Sequence, residues 1–161
     1  GPLLQECVRI YEPLAGQGRL ALEAIVESEL PAVAVNADRL KQVVYNLLDN
    51  ALKFTHVGSI RLQARQEGQE VWVSVTDTGI GIAADDLEPI FERFHQGGPA
   101  ISGKPRGLGL GLSLCREIVG RYRGRIWAES VERRGSTFTV ALPVVAAPGA
   151  GLAEGAASVQ V

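Results

Sequence analysis

The chain has 161 residues, of which 46% are hydrophobic and 21% are charged, so it is long and apolar enough for one globular domain with its own core. Its formal net charge of −2 gives no basic surplus for binding nucleic acid or an anionic membrane, and we expect neither as a partner. No apolar run reaches the ~20 residues of a bilayer span. Cys7 and Cys115 are too few for a zinc cluster, and we expect both to be reduced in a cytoplasmic protein.

The first third of the chain predicts a helix, two strands and a longer helix. Apolar residues at helical spacing indicate a short helix over 3–15, and alternating or short apolar runs indicate strands over 20–26 and 32–35. Asn36 is a favourable N-cap for a helix that we expect to end near Lys53 or Phe54. The apolar stripe of this helix is Leu40, Val43, Val44, Leu47, Leu48 and Ala51.

The rest of the chain predicts strands separated by one loop and one helix. The strands cover 59–66, 70–76, 125–130 and 136–142, and the helix covers 112–121. Residues 95–106 are rich in Gly, Pro and Ser and indicate a mobile loop. We therefore predict an α+β fold, a two-layer sandwich with a mixed, mostly antiparallel sheet of about five strands and about three helices on one face.

Composition changes at both ends of the chain. Gly1-Pro2 is typical of the pair that a protease leaves when it removes a fusion tag. Residues 144–161 are rich in Ala and Gly and show no periodicity, so we predict a tail after a domain that spans residues 1–143.

Three polar residues on the long helix could bind a metal ion and phosphate. Asn46, Asn50 and Lys53 follow one another at steps of four and three and share one helix face. Amide oxygens can bind a hard cation, and the ammonium group can bind phosphate. The same residues would suit a solvated helix face, and alone they do not decide between the two.

Two glycine-rich segments could approach a nucleotide. Asp77-Thr78-Gly79-Ile80-Gly81 follows a strand, and its carboxylate could accept a hydrogen bond from an exocyclic amine, although plain turns share this pattern. Gly107-Leu108-Gly109-Leu110-Gly111 precedes a helix, so its N–H groups could bind an anion. The Walker A pattern is nearly matched over 98–104, but Pro105 stands where that motif needs Ser or Thr.

In combination, these segments resemble the motifs of sensor histidine kinases in order and spacing. The matches are residues 38–55 to the N box, 77–82 to the first glycine box, Phe91-Glu92-Arg93-Phe94 to the F box, 107–112 to the second glycine box and 135–138 to the motif on the last strand. The resemblance covers about residues 3–143. It is to the catalytic, ATP-binding domain of these bacterial two-component kinases, within the gyrase, chaperone, histidine kinase and mismatch-repair ATPase superfamily.

The resemblance implies cofactors and roles. Asn50 would be the Mg²⁺ ligand with Asn46 in support, and Asp77 would accept from the adenine amine, directly and through a water shared with Thr137. Phe54 would cover one side of the adenine, and Lys53 would face phosphate. The loop over 95–106 would be an ATP lid anchored by Phe91 and Phe94. The implied ATP-binding residues are Asn46, Asn50, Lys53, Phe54, Asp77, Gly79, Gly81, Ile82, Phe91, Phe94, Lys104, Arg106, Gly107, Leu108, Gly109, Leu110, Gly111 and Thr137.

A phosphoacceptor histidine is missing from the pattern. The family's acceptor lies on a helical hairpin and precedes an acidic residue, whereas Val57 follows His56 and Gln96 follows His95. We therefore expect a protein-histidine kinase domain that does not phosphorylate itself in isolation. Its partners would be a separate dimerisation and phosphoacceptor domain, through which the parent forms a homodimer, and a response regulator receiver domain. The sequence leaves open whether the parent is anchored in a membrane.

Three rival functions remain. An ATP-hydrolysing gyrase- or chaperone-type relative would carry a glutamate four residues before Asn50, where this chain has Asn46. An anti-sigma-factor serine kinase also usually carries that glutamate, and the Phe91-Glu92-Arg93-Phe94 box of this chain argues against that function. A nucleotide-binding module that only docks partners would not need the intact set of Asn50, Lys53, Asp77 and glycines.

Overall fold

The computed structural model describes residues 1–95, 109–145 and 158–161, and these form three α-helices and seven strands, of which the last was not predicted. The helices are α1 (Pro2–Gln17), α2 (Ala37–Phe54) and α3 (Gly111–Arg121). The strands are β1 (Ala21–Val26), β2 (Ala32–Ala34), β3 (Ser59–Glu67), β4 (Glu70–Asp77), β5 (Arg125–Val131), β6 (Gly135–Pro143) and β7 (Ser158–Gln160). Two single-turn 3₁₀ helices, Ala84–Asp86 and Pro89–Phe91, lie between β4 and α3.

Five strands form one sheet in the order β1-β3-β4-β6-β5. Strands β1 and β3 are parallel, and every other neighbouring pair in this sheet is antiparallel. The parallel pair is possible because α2 lies between β1 and β3 in the chain and returns it to the same end of the sheet. The prediction of an α+β fold with a mixed, mostly antiparallel sheet is confirmed.

The three helices pack on one face of this sheet. Helix α2 contacts β3 and β4, while α1 contacts β1 and α3 contacts β5. Alternate residues of β3 and β4 point at the helices and are buried, because successive side chains of a strand lie on opposite faces. The opposite face carries Trp72 and Trp127, whose rings meet edge to face with centroids 5.0 Å apart.

Helix α2 begins and ends where the sequence predicts. The Asn36 side chain accepts a hydrogen bond from the Arg39 backbone N–H at 3.1 Å, and this caps the first turn. The helix ends at Phe54, followed by a C-cap at Thr55. All six residues of the predicted apolar stripe are buried, and burial of each Leu or Val contributes about 1.5–3 kcal/mol. The polar edge of the same helix is thereby held at a fixed angle to the sheet.

The C-terminal residues differ from the prediction. Strand β7 pairs with β2 in antiparallel register, with Ala32 opposite Gln160, and Val161 is buried. The tail prediction is therefore wrong for residues 158–161. A strand of three residues is too short to show periodicity in the sequence, and its backbone hydrogen bonds come from the edge of β2.

Other predictions concern the lid, the cysteines and the membrane. The predicted lid over 95–106 lies, apart from His95, outside the described residues. Cys7 on α1 and Cys115 on α3 are both buried free thiols. Among the described residues, no helix combines the length and the apolar character of a membrane span.

Candidate functional site

Asp77 is a buried carboxylate at the end of β4, beneath the C-terminus of α2. Its side chain is 5% exposed, and its Oδ1 accepts hydrogen bonds from the Gly79 N–H at 2.8 Å and from the Thr55 hydroxyl at 3.5 Å. Burial raises the pKa of Asp77, while hydrogen bonds from the backbone of Gly79 and Ser136 and from Thr55 oppose the shift. The Asp77 carboxylate is therefore a desolvated hydrogen-bond acceptor that is held in place between β4 and the end of α2.

The glycine turn after Asp77 is confined between two neighbouring segments. A Cβ atom on Gly79 would lie 2.4 Å from the Phe54 carbonyl oxygen, and the Ile80 N–H donates to this same oxygen at 3.1 Å. Gly81 has φ +70°, and a Cβ there would lie 2.2 Å from the Val131 carbonyl oxygen. Only glycine fits at both positions, so the turn closely follows α2 on one side and the β5–β6 hairpin on the other.

The polar edge of α2 meets the start of α3. Asn46, Asn50 and Lys53 are all half-buried, and the Lys53 Nζ lies 5.0 Å from the centroid of the Phe54 ring. A Cβ on Gly111 would lie 3.2 Å from Asn46 Oδ1, so the two predicted motifs are neighbours. In the part of the chain that the structure describes, no side chain caps the N-terminus of α3, which begins after Leu110. This end of α3 therefore presents the positive pole of the helix dipole beside Asn46.

The two phenylalanines of the predicted F box occupy different environments. Phe91 is 4% exposed, its ring lies 6.3 Å from that of Phe138, and the Arg116 guanidinium lies 4.9 Å above it. Phe94 is 72% exposed and has φ +64°, and its backbone N–H donates to the Gly109 carbonyl at 3.0 Å. Phe91 thus anchors this segment in the core, whereas the Phe94 side chain does not. The role of Phe94 as an anchor of the lid stays a prediction, because residues 96–108 lie outside the described residues.

The structure also corrects the assignment of Thr137. Thr137 pairs with Thr76 on the face of the sheet away from the helices, and their hydroxyl groups are 3.0 Å apart. Asp77 instead pairs with Ser136, which is buried on the helix-facing side. The alternation of β6 would have indicated this, since buried Phe138 and Ser136 are two residues apart. Thr137 therefore does not lie on the same face of the sheet as the Asp77 carboxylate, and Ser136 is the hydroxyl residue beside Asp77 that sequence analysis missed.

The remaining predicted residues lie beside the glycine turn or outside the described residues. The Ile82 N–H donates to the Ser130 hydroxyl at 2.8 Å, so Ile82 joins the turn to β5. Lys104, Arg106, Gly107 and Leu108 lie outside the described residues. In residues 1–95, 109–145 and 158–161, no group of three or more His, Cys, Asp or Glu could bind a metal ion.

Comparison with known proteins identifies the family of this fold. The family model described as "Histidine kinase-, DNA gyrase B-, and HSP90-like ATPase" matches residues 35–146. The chain belongs to this family. This ATPase-family chain is also similar to the catalytic domain of histidine kinase ThkA in a nucleotide-free form, with 30% identity and a TM-score of 0.76. The match covers 89% of this chain and 92% of that domain.

Longer relatives are sensor kinases. The ATPase-family chain is 40% identical over 139 residues to sensor histidine kinase RcsC of Escherichia coli K12, covering 85% of this chain and 14% of that protein. It is 44% identical over 144 residues to the adaptive-response sensory kinase SasA of Synechococcus sp. strain JA-2-3B'a(2-13), covering 88% and 38%. The chain therefore spans a minor part of these relatives. The resemblance to the catalytic domains of sensor histidine kinases is confirmed.

The chain is also similar to a protein whose structure was solved with a nucleotide analogue bound. Full-length ShkA in complex with AMPPNP is 29% identical to this chain, with a TM-score of 0.78 and coverage of 91% of this chain and 31% of that one.

Proposed function

We propose that this domain binds Mg²⁺–ATP and transfers the γ-phosphate to a histidine on a separate dimerisation and phosphoacceptor domain. The observation that carries the proposal is the pairing of two chemically different poles in one site. A buried carboxylate, Asp77, lies at one pole, and the amide edge of α2 meets the N-terminus of α3 at the other. A nucleotide has the matching polarity, with an amine-bearing base at one end and phosphates at the other.

At the base pole, Asp77 accepts a hydrogen bond from the exocyclic amine of adenine. Such a bond is charge-assisted and stronger than a bond between neutral groups. Thr55 and Gly79 hold the carboxylate in place from two sides. Gly79 and Gly81 fit closely against their neighbours and carry no side chains, so a flat ring can approach the backbone of the turn.

At the phosphate pole, the residues present fit Mg²⁺. Magnesium is usually held by one or two protein oxygen ligands together with substrate phosphates, and it does not need an acidic cage. Asn50 supplies an amide oxygen and Asn46 supports it, while Lys53 and the start of α3 bind the phosphates. The ion supplies charge neutralisation on the β- and γ-phosphates when bound.

The same pole favours transfer to a partner over hydrolysis. A general base for water would have to accept a proton near Asn46, and an amide cannot do so at neutral pH. His56 is exposed just after α2, and His95 Nε2 lies 3.3 Å from Asp86 Oδ1 at the edge of the described residues. Neither histidine lies in a helix. The acceptor is therefore a histidine of another domain, and a receiver domain is the downstream partner.

A two-step experiment tests the proposal. Isothermal titration of the purified chain with ATP should show binding that tightens with Mg²⁺, and incubation with γ-labelled ATP should leave the chain unlabelled. Addition of the parent's helical hairpin domain should give acid-labile, base-stable phosphate on that domain. Stoichiometric acid-labile label on this chain alone would contradict the assignment, and so would an absence of ATP binding.

A further inference from the structure

A row of polar side chains crosses three strands at the floor of the site. Asp77 on β4 pairs with Ser136 on β6, and Ser136 pairs with Ser130 on β5. Register partners lie on the same face of a sheet, so all three side chains face the helices. Asp77 and Ser136 are buried, and Ser130 is half-buried.

The hydrogen bonds of Ser130 determine where each hydroxyl proton lies. Ser130 Oγ is 2.8 Å from the Gly135 carbonyl oxygen, 2.8 Å from the Ile82 backbone nitrogen and 3.0 Å from Ser136 Oγ. A carbonyl cannot donate, so the single hydroxyl proton of Ser130 goes to Gly135. Ser130 then accepts the Ile82 N–H and, with its second lone pair, the Ser136 hydroxyl proton. Ser136 Oγ consequently has only lone pairs left for any other partner.

This arrangement places two acceptors side by side. The Asp77 carboxylate has no proton to donate when it is ionised, and the proton of Ser136 is held by Ser130. An exocyclic amine carries two N–H groups and can satisfy both acceptors. A carbonyl at the same position of the ring would direct its lone pairs at both of them and would be repelled.

We infer that Ser130 is a positioning residue that sets the purine specificity of the site, because it fixes the Ser136 hydroxyl as an acceptor beside Asp77 and so favours a 6-amino over a 6-oxo purine. The inference rests on the proposed function, since it concerns the base of the nucleotide bound there. Ser130 acts on the choice of base through Ser136 alone, although it also accepts a hydrogen bond from the Ile82 N–H.

The test compares ATP with inosine triphosphate, which carries a carbonyl in place of the amine at C6. Affinities of both nucleotides are measured for the wild-type chain and for Ser130→Ala. The preference for ATP should fall roughly three- to tenfold in Ser130→Ala, which is the range expected for one hydrogen bond between neutral groups. Ser130→Thr keeps the hydroxyl and should restore the preference.

Ser74→Ala is the matched control. Ser74 is a half-buried serine on β4 that pairs with Thr139 on the opposite face of the sheet, so its removal should leave the preference unchanged.

A double-mutant cycle separates positioning from a general loosening of the turn. In a Ser136→Ala background, Ser130→Ala should not change the preference further, because the hydroxyl that it orients is absent. An equal fall in both backgrounds would overturn the inference. If Ser130→Ala does not fold, as judged by thermal unfolding, Ser130→Cys replaces it, since a thiol is a weak hydrogen-bonding group.

The two possible failures are distinguishable. If the wild-type chain binds neither nucleotide, the proposed function fails and the inference fails with it. If the wild-type chain prefers ATP and Ser130→Ala keeps the same preference, only the inference is overturned.

Discussion

The carboxylate of Asp77 carries a structural cost in addition to its proposed role in binding. Burial raises its pKa, which means that the fold holds the charged form less favourably than water does. The hydrogen bonds from Gly79, Ser136 and Thr55 offset part of this cost. A buried carboxylate that is not needed for packing is expected where a ligand makes use of its charge.

Substitution of Asp77 by Asn should therefore separate binding from stability. The charge-assisted bond to the adenine amine is worth about 1.5–3 kcal/mol, so Asp77→Asn should weaken ATP binding by roughly 10- to 100-fold. The melting temperature at neutral pH should not fall, because Asn has no charge to desolvate and its oxygen can still accept from Gly79. Titration calorimetry and thermal unfolding measure the two effects. Unchanged ATP affinity in the folded variant would remove Asp77 from the site.

The pH dependence of stability follows from the same shift. The folded-state pKa of Asp77 is raised, so the contribution of this group to the free energy of unfolding is most favourable at low pH. That contribution declines as pH rises from the unfolded pKa, about 3.9, through the folded pKa, and it is constant above it. The melting temperature of Asp77→Asn should therefore exceed that of the wild type most at neutral pH, where Asp77 is ionised. The two melting temperatures should converge as the pH falls toward about 4. A gap that is independent of pH would contradict the raised pKa.

Substitution of Asn50 tests the proposed role of the phosphate pole in binding Mg²⁺. Asn50→Ala should weaken ATP binding in Mg²⁺ by tenfold or more, with little change in chelator, because it removes an oxygen ligand of the ion. The fold should survive, since Asn50 lies at the edge of the apolar stripe and Ala raises helix propensity by some tenths of a kcal/mol. Gln42→Ala, at another half-buried amide of α2, is the control. A folded Asn50→Ala variant with wild-type Mg²⁺ dependence would disprove the metal assignment.

At the scale of elements, the short 3₁₀ helix Pro89–Phe91 is anchored in the core by the Phe91 ring. Phe91→Ala should cost about 3–5 kcal/mol of unfolding free energy, because the ring is buried against Phe138 and beneath Arg116. Phe94→Ala, in the same motif, should change stability by less than about 0.5 kcal/mol because that ring is exposed. Urea unfolding of both variants measures the difference. Equal losses would show that Phe94 also packs against the domain.

The elements differ in how far the sequence predicts them. Helix α2 is predictable in full because an N-cap and a regular apolar stripe coincide within one segment. The choice between Ser136 and Thr137 depends instead on which face of β6 is buried, which requires the alternation to be anchored on Phe138. Motif resemblance alone selected Thr137, which lies on the face of the sheet away from Asp77.

At the scale of the whole molecule, local patterns predict the layers but not all the pairings. The main sheet is predictable because its strands alternate buried apolar residues with more exposed ones, as Ile60, Leu62 and Ala64 do in β3. Strand β7 has no such pattern and forms only because β2 offers an edge far away in the chain. The Ser130–Ile82 hydrogen bond joins residues 48 positions apart and is likewise invisible to local reasoning.

The two buried thiols, Cys7 on α1 and Cys115 on α3, can report on partial opening of the domain. Burial raises the pKa of Cys7 and raises that of Cys115 to about 12, and both side chains are fully buried, so alkylation requires the covering helix to open. A hydrogen bond from Asn46 opposes the pKa shift at Cys115, so this thiol contacts a residue of the proposed phosphate pole. Mg²⁺–ATP should therefore slow the labelling of Cys115 several-fold more than that of Cys7, as peptide mass spectrometry would show. Equal slowing would mean that α1 and α3 open together as one unit.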